Sequence, residues 1–503
     1  MKATKLTFFF ATICFFASPV SGFWDHGEKV PVQFSGPSDR IVDYAGTSLM
    51  KALHHKYDYP TVGGLDFFTA VILEDEYNEK SIELHYCKVD QYPIRKSLVN
   101  TGKDWFKVFA IDLPPDTVDV YAPSIDCFSV EQDMNRVYTI VVMSFVYEDS
   151  SGTFCRIKSF KFQPDGTGSL DMVTPATLED QVISLSGSCR VTKSITSYFH
   201  YKDAGQKTVF VGLESWDETP VHDICNIEVY SIDINQTTIN NLDDTYTIEY
   251  EYDSDFALIY EASFTDLGGF MNPRNAFLDF ACIASTSDDS PVEHMVVSHN
   301  YQFSDFYCYA LTKVTRSKTE SEWSEWLISG NQILRSPLNF TGEVHIEKNN
   351  QLIKEGSISV FVSSIEPGSG EKKILTAVVT LPSWNVNSVL KEITTIPESS
   401  QWDIKADRGL IGLQSTSYNK GSLAYCDWAN HRADWISEPP QIMESTPIPM
   451  STPLPGYWVA EMSVGIQVNY PEDGISTGEL SRVYQENTVD PPDHFSIRRQ
   501  FHF

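Results

Sequence analysis

The amino-acid sequence predicts an all-β protein and, within that class, a β-propeller of six blades, with seven blades as the alternative count. Short runs rich in Val, Ile, Phe, Tyr and Thr alternate with clusters of Gly, Asn, Asp, Ser and Pro, which is the pattern of strands and turns. Few segments show helical spacing over three turns. One arrangement, two strands joined by a polar turn, recurs along the chain and indicates a repeated unit.

The spacing of this unit points to a ring of blades. A single four-stranded blade must pack on its neighbours to cover both of its faces, and a closed ring achieves this. Tandem β-sandwich domains are the alternative architecture, because hairpins at uneven intervals produce a similar pattern. A candidate seventh unit contains Val459. Successive strand centres lie 71, 71, 69, 81 and 50 residues apart when placed at Thr69, Ile140, Val211, Phe280, Phe361 and Ile411.

The N-terminus has the pattern of a secretory signal peptide. Lys2 and Lys5 precede a short apolar run at residues 6–16, and small residues stand at Val20 and Gly22, which predicts cleavage after Gly22. The apolar run is shorter than the ~20 residues that a membrane span requires, so we expect a secreted, extracellular protein. The predicted organisation is a signal peptide at 1–22, a propeller at 23–438, a Pro-rich linker or loop at 439–455, and the last blade strands with a short C-terminal extension at 456–503.

Charge and composition exclude some classes of function. The chain of 503 residues carries 68 acidic and 37 basic side chains, for a formal net charge of −31. Nucleic acids are bound through many Lys and Arg contacts to phosphate, so a nucleic-acid partner is not expected. A phosphate-binding Gly-rich motif, an H-E-x-x-H motif and a calcium-loop signature are all absent from the sequence. We therefore expect no cofactor and no metal site.

Eight cysteines remain after removal of the signal peptide, and an even number in an exported protein favours disulfide bonds. The alternative is that they are small buried apolar residues at equivalent blade positions. The sequence-local candidate pairs are Cys127–Cys155, Cys189–Cys225 and Cys282–Cys308, with Cys87 and Cys426 left over.

Two sequence patterns indicate modification. Asn235 and Asn339 begin N-x-T sequons, which predicts glycosylated asparagines on exposed loops. Trp323 and Trp326 have the W-x-x-W spacing that carries C-linked mannose in some secreted proteins. We interpret these two tryptophans as a packing pair.

The search for catalytic and metal-binding motifs is mostly negative. Ser476 lies in a G-x-S-x-G pattern, followed by Asp490 and His494. The three are too close in sequence for the separate elements of a hydrolase triad, so we interpret the pattern as a Gly-rich turn. Glu293 and His294, taken with His299, lack the helical spacing of metal ligands and are interpreted as part of a surface loop.

The densest polar and aromatic patch comprises Asp427, Trp428, His431 and Trp435. Aromatic faces beside carboxylates are typical of sugar recognition. The sequence therefore favours a secreted, glycosylated propeller that acts without catalysis as a binding module for glycans or an extracellular protein. The alternative is a secreted carbohydrate-active hydrolase with carboxylates at the axial mouth of the propeller, and a third option is an acidic structural or storage protein. Carboxylates that converge on the central funnel would favour hydrolysis.

Overall fold

The computed structural model describes a series of segments, and each of them is a strand or a short connection between strands. The described residues contain no helix, and therefore no helix that is long and apolar enough to cross a membrane. Side chains are described only between residues 43 and 331. The described residues are 30–31, 40–51, 64–90, 106–131, 137–162, 176–185, 190–200, 207–218, 223–241, 246–253, 255–265, 278–285, 292–303, 306–318, 323–335, 344–348, 357–365, 372–380, 385–386, 391–396, 402–407, 410–415, 423–427, 442–444, 458–468, 476–486 and 494–502.

The strands form seven antiparallel sheets of four or five strands, which we call blades 1 to 7. The chain begins with β1 (Val30–Pro31), which joins blade 7. Blade 1 contains β2 (Arg40–Lys51), β3 (Gly64–Glu74), β4 (Lys80–Asp90) and β5 (Phe106–Ile111). Blade 2 contains β6 (Asp119–Glu131), β7 (Val137–Asp149), β8 (Gly152–Phe162) and β9 (Ala176–Leu185). Blade 3 contains β10 (Arg190–His200), β11 (Lys207–Glu218), β12 (Asp223–Asn240), β13 (Tyr246–Tyr252) and β14 (Ala257–Thr265).

The remaining blades follow the same chain order. Blade 4 contains β15 (Asp279–Ser285), β16 (Val292–Phe303), β17 (Phe306–Ser317) and β18 (Leu327–Arg335). Blade 5 contains β19 (Val344–Lys348), β20 (Ser357–Ile365), β21 (Lys372–Thr380), β22 (Asn385–Val386) and β23 (Lys391–Ile396). Blade 6 contains β24 (Trp402–Asp407), β25 (Leu410–Ser415), β26 (Leu423–Asp427) and β27 (Ile442–Glu444), and blade 7 adds β28 (Trp458–Val468), β29 (Ser476–Glu486) and β30 (His494–His502) to β1.

The first strand of each blade contacts the first strand of the next blade, and the cycle closes. The order of contacts is β2, β6, β10, β15, β19, β24, β28 and back to β2. These seven innermost strands therefore surround one axis, which confirms the all-β propeller and replaces the alternative of tandem sandwiches. The N-terminal β1 pairs with β30, so the two ends of the chain complete the same blade and hold the ring closed.

The described residues form seven blades, the count given as the alternative, so the count of six is corrected. Thr69, Ile140 and Val211 lie in the second strands of their blades, whereas Phe280 lies in β15, the first strand of blade 4. The sequence after β15 contains the second strand of this blade, β16. The seventh blade takes three of its strands from residues 458–502, the region expected to end in an extension.

Blade 2 is apolar on both faces because it packs between blades 1 and 3. Along β7, Val141, Met143 and Phe145 pack into a core shared with blade 1. The alternate residues Ile140 and Val142 pack into a core shared with blade 3. Burying one such side chain contributes about 1.5–3 kcal/mol. The continuous apolar run of β7 is therefore a strand with two buried faces.

The strand registers contradict two of the candidate disulfides. Cys127 and Cys155 lie opposite residues of β7 that are five positions apart, and Cys282 and Cys308 lie opposite residues of β16 that are six apart. These offsets are about 16–20 Å along a strand, whereas bridged Cα atoms lie within about 7 Å of each other.

The described cysteines fit the apolar interpretation instead. Cys127, Cys155, Cys225 and Cys282 are buried thiols, and no disulfide is found in the part of the chain whose side chains are described. Burial raises the pKa of Cys155 to about 12. Cys189 lies outside the described residues, and the side chains of Cys87, Cys308 and Cys426 are not described.

Candidate active site at the propeller axis

The innermost strands of blades 1, 2 and 3 share a β-bulge near their first residues. A bulge bends the strand and is common beside active sites. In blade 2 the bulge contains Ala122, whose φ of 49° lies in the left-handed region that disfavours residues other than glycine. Such strain persists only where the surrounding structure holds it, and it clusters at functional sites. The bulges lie between Ile41 and Asp43, between Tyr121 and Ser124, and between Val191 and Lys193.

Polar side chains of one blade bond to the innermost backbone of the next. An innermost strand has no neighbouring strand on its axial side, so its N–H groups there need other acceptors. The Asp43 carboxylate supplies one of them at the strained residue. The three contacts are Ala122 N to Asp43 Oδ2 at 3.2 Å, Thr196 N to Ser124 Oγ at 2.8 Å, and Leu278 N to Glu214 Oε2 at 3.0 Å.

Carboxylates lie on several innermost strands, and one of them, Asp119 of β6, is paired with Lys80. Asp43 lies on β2 of blade 1, Asp126 on β6 of blade 2, and Asp279 on β15 of blade 4. Asp126 Oδ1 accepts the N–H of Cys127 at 2.8 Å, and Asp279 Oδ1 accepts the N–H of Phe280 at 2.8 Å. Backbone donors thus hold these three carboxylates on strands that border the axis.

Ion pairs on the outer strands of blade 2 are saturated and therefore structural. Arg156 Nε and Nη2 each donate to Asp180 at 2.8 Å, and Lys158 lies 3.0 Å from the same carboxylate. Burial alone would raise the pKa of Asp180, but the hydrogen bonds and charges of these two cations outweigh it and lower that pKa. Asp180 is thus ionised at neutral pH and is no proton donor.

A second buried polar cluster joins blades 3 and 4 at the opposite rim, where β15 ends and β16 begins. Arg316 is its centre. Its guanidinium donates to both carboxylate oxygens of Asp233, at 2.6 and 2.8 Å, and to Thr208 Oγ1 at 2.9 Å. Its Nε donates to Glu293 Oε2 at 2.5 Å. We call these four residues the Arg316 cluster.

The two carboxylates of the Arg316 cluster are not equivalent. Burial raises the pKa of Glu293 to about 7, although the charge and hydrogen bond of Arg316 act in the other direction. Burial would lower the pKa of Arg316, but its bonds to Asp233 and Glu293 raise it. Asp233 already neutralises the guanidinium, so an ionised Glu293 adds a second buried negative charge.

Glu293 therefore makes stability depend on pH. Its pKa in the folded protein, about 7, exceeds its ordinary value of 4.5. The folded state holds a proton that the unfolded chain has lost, so this contribution to stability is full below pH 4.5 and declines as the pH rises to 7. We expect Glu293→Gln to stabilise the protein relative to wild type more at pH 8 than at pH 5. Urea unfolding at the two pH values checks this, with exposed Glu249→Gln as the control. Parallel pH profiles for wild type and Glu293→Gln would contradict it.

The interpretation of Glu293 and His294 as a surface loop is wrong, because both are buried in β16. Neighbours on a strand point to opposite faces, so the two do not converge on one ion. Burial, with a smaller effect of Lys313, lowers the pKa of His294 to about 4, so its imidazole is neutral at neutral pH. In the described part of the chain, no group of three or more His, Cys, Asp or Glu could hold a metal ion.

Most of the site residues predicted from the sequence lie outside the described residues or have side chains that are not described. Trp428, His431, Trp435, Asn339 and Asp490 are outside the described residues. Asp427 ends β26, Ser476 begins β29 and His494 begins β30, without described side chains.

Asn235 is exposed as expected, but it lies in β12 rather than in a loop. Its Nδ2 donates to Asp253 Oδ1 at 2.5 Å. The axial residues Asp43, Asp126 and Asp279 were missed because no repeated motif marks them.

Comparisons with known proteins find similar solved structures but no matching family. No protein-family model matches the chain, and no curated protein matches it. Among solved structures it is similar to the α-L-arabinofuranosidase Arb93A of Fusarium graminearum with an iminosugar inhibitor, at 11% identity and a TM-score of 0.32, covering 77% of this chain and 95% of that one. It is also similar to the periplasmic gluconolactonase PpgL of Pseudomonas aeruginosa, at 10% identity and a TM-score of 0.27, covering 82% and 97%.

The prediction of a binding module without catalysis is wrong by this comparison, because both similar structures are named for hydrolytic enzymes. A structure of the same arabinofuranosidase contains arabinobiose. Identities of 10–11% and TM-scores of 0.27–0.32 assign neither a substrate nor a catalytic residue to this chain.

Proposed function

We propose that the protein is a secreted hydrolase that acts on a carbohydrate at the axial mouth of the propeller. The observation that supports this is the placement of Asp43, Asp126 and Asp279 on innermost strands, with their carboxylates held by backbone N–H groups. Glycoside hydrolysis needs two carboxyl groups on either side of the scissile bond, one as general acid and the other as base or nucleophile. Two of these three would take those roles.

The strained bulge supports the same location. Asp43 reaches from blade 1 to the N–H of Ala122 in blade 2, so the carboxylate is held at the junction of two blades. A catalytic carboxylate must be fixed in position relative to the bond it attacks. The left-handed φ of Ala122 aims its N–H at this carboxylate, which gives the strain a positioning role.

The net charge of the protein narrows the class of carbohydrate that we expect as its substrate. With a formal net charge of −31, the surface repels polyanions at low ionic strength. We therefore propose a neutral glycan rather than a uronic-acid polymer, a sulfated glycan or a nucleic acid.

Hydrolysis assays test the proposal. The substrate panel contains neutral aryl glycosides, neutral oligosaccharides and an aldonolactone. We expect activity on at least one substrate, and a loss of kcat/KM of about a hundredfold or more in at least two of the variants Asp43→Asn, Asp126→Asn and Asp279→Asn. The control Glu249→Gln, on the exposed face of β13, should keep full activity. Absence of hydrolysis, or full activity in all three aspartate variants, would overturn the proposal, provided that thermal melts show folded proteins.

Export predicts glycosylation at Asn235, whose side chain is exposed on β12. In a eukaryotic secretory host, we expect Asn235→Gln to remove one of the mobility steps that an N-glycosidase produces on gels. Thr237→Ser keeps the N-x-S/T pattern and should keep the step, while Asn339→Gln reports the second sequon. Identical mobility of wild type and Asn235→Gln would refute use of this site.

A further inference from the structure

The W-x-x-W segment lies between β17 and β18, folded back on the end of β17. Ser324 N donates to Ser317 O at 2.8 Å, and Ser317 N donates to Ser324 Oγ at 3.0 Å. An isolated β-bridge joins Lys318 and Trp323. These bonds place both indoles of the segment over Arg316, with its guanidinium carbon 4.6 Å from the Trp323 ring and 4.7 Å from the Trp326 ring.

The two indoles differ in their surroundings. Trp326 packs against the core between blades 3 and 4, with its ring 5.8 Å from that of Phe210 in an edge-on contact. Trp323 contacts cations instead, Arg316 and Lys318, the latter at 5.8 Å. Trp323 is therefore the tryptophan of the pair that lies outside this core.

Both indole N–H groups are unsatisfied hydrogen-bond donors among the described residues. The Nε1 atoms of Trp323 and Trp326 are buried and have no hydrogen-bond acceptor among the described residues. A buried donor without an acceptor costs about 1–3 kcal/mol, and each such group calls for an explanation. In an indole the carbon next to Nε1 is Cδ1, so a sugar bonded at Cδ1 would place hydroxyl and ring oxygens beside the N–H.

We propose that Trp323 carries a C-linked hexose. The W-x-x-W motif indicates that this hexose is mannose. The donor is a polyprenyl phosphate mannose. Indole Cδ1 attacks the anomeric carbon, the bond from that carbon to the phosphate oxygen breaks, and the phosphate leaves with the electron pair. Cδ1 then loses its proton to a base, which restores the aromatic ring. The reaction precedes closure of the cation stack over Trp323, and the modification rests on the proposed export but not on hydrolysis.

Mass spectrometry of the secreted full-length protein tests this proposal. Trypsin releases residues 319–335, which contain both tryptophans. We expect this peptide to be heavier by one anhydrohexose, with fragment ions that locate the added mass on Trp323. A C-linked sugar fragments within its ring, whereas an O-linked hexose leaves intact. Ser324→Ala should therefore keep the modification and Trp323→Phe should lose it.

The main measurement needs no variant, so a misfolded variant cannot hide the result. An unmodified peptide, from a host that modifies a control W-x-x-W protein, would overturn the proposal. A hexose that leaves intact, from serine or threonine, would also overturn it. A hydrolase without the hexose, or a modified protein without hydrolysis, separates failure of this proposal from failure of the proposed function.

Discussion

Replacing Arg316 with methionine should destabilise the propeller by about 3–5 kcal/mol, the usual cost of removing one partner from a buried ion pair. Arg316 is 5% exposed and is the cation that faces both Asp233 and Glu293. Methionine fills similar space but leaves the Asp233 charge buried without its counterion. It also removes the cation from between Trp323 and Trp326. Urea unfolding followed by tryptophan fluorescence measures the loss.

Arg156→Met is the matched control. Arg156 also makes a two-pronged contact with an aspartate, but Asp180 is 34% exposed and remains hydrated when its partner is removed. Exposed pairs contribute about 0–1 kcal/mol, so we expect a much smaller effect. Equal losses in the two variants would show that burial of the Arg316 cluster does not set its contribution.

The fold class could be predicted because the strands and turns of a blade have a recognisable local pattern in the sequence. Apolar runs such as that of β7 are long enough for strands and too short for membrane spans, and polar turns separate them. The blade count could not be predicted in the same way. Pairing between β1 and β30 joins the two ends of the chain, and no local pattern shows which distant strand completes a sheet.

The candidate site could not be predicted from the sequence, for a related reason. Asp43 and Ala122 meet across a blade junction, and the bulge that turns Ala122 inward is a feature of strand register. Glu293 looks like an exposed acid beside a histidine. It is buried because Arg316, on the neighbouring strand β17, supplies the counter-charge. Long-range pairing decides both the burial and the chemistry of these residues.

Replacing Gly212 with valine should destabilise the protein by about 3 kcal/mol, at the upper end of the usual cost of overpacking. Gly212 lies on β11 of blade 3 and faces blade 4. A Cβ atom there would lie 2.7 Å from Phe280 Cε1 and 3.1 Å from Leu278 Cδ2, closer than side chains tolerate. In an open strand position valine would be preferred to glycine by up to about 1 kcal/mol. Here the clash wins, because the Phe280 ring is rigid and buried.

A double-mutant cycle with Phe280→Leu separates this clash from other effects. Phe280→Leu alone should destabilise the protein, because it leaves space beside Phe210, whose ring centroid lies 6.1 Å from that of Phe280. In the Gly212→Val background that space accommodates the new methyl groups. The double variant should therefore be more stable than the sum of the single effects by about 0.5–3 kcal/mol. Gly212→Ala should fall between wild type and Gly212→Val in the same urea titrations. Strictly additive effects would mean that blades 3 and 4 do not approach each other this closely at β11.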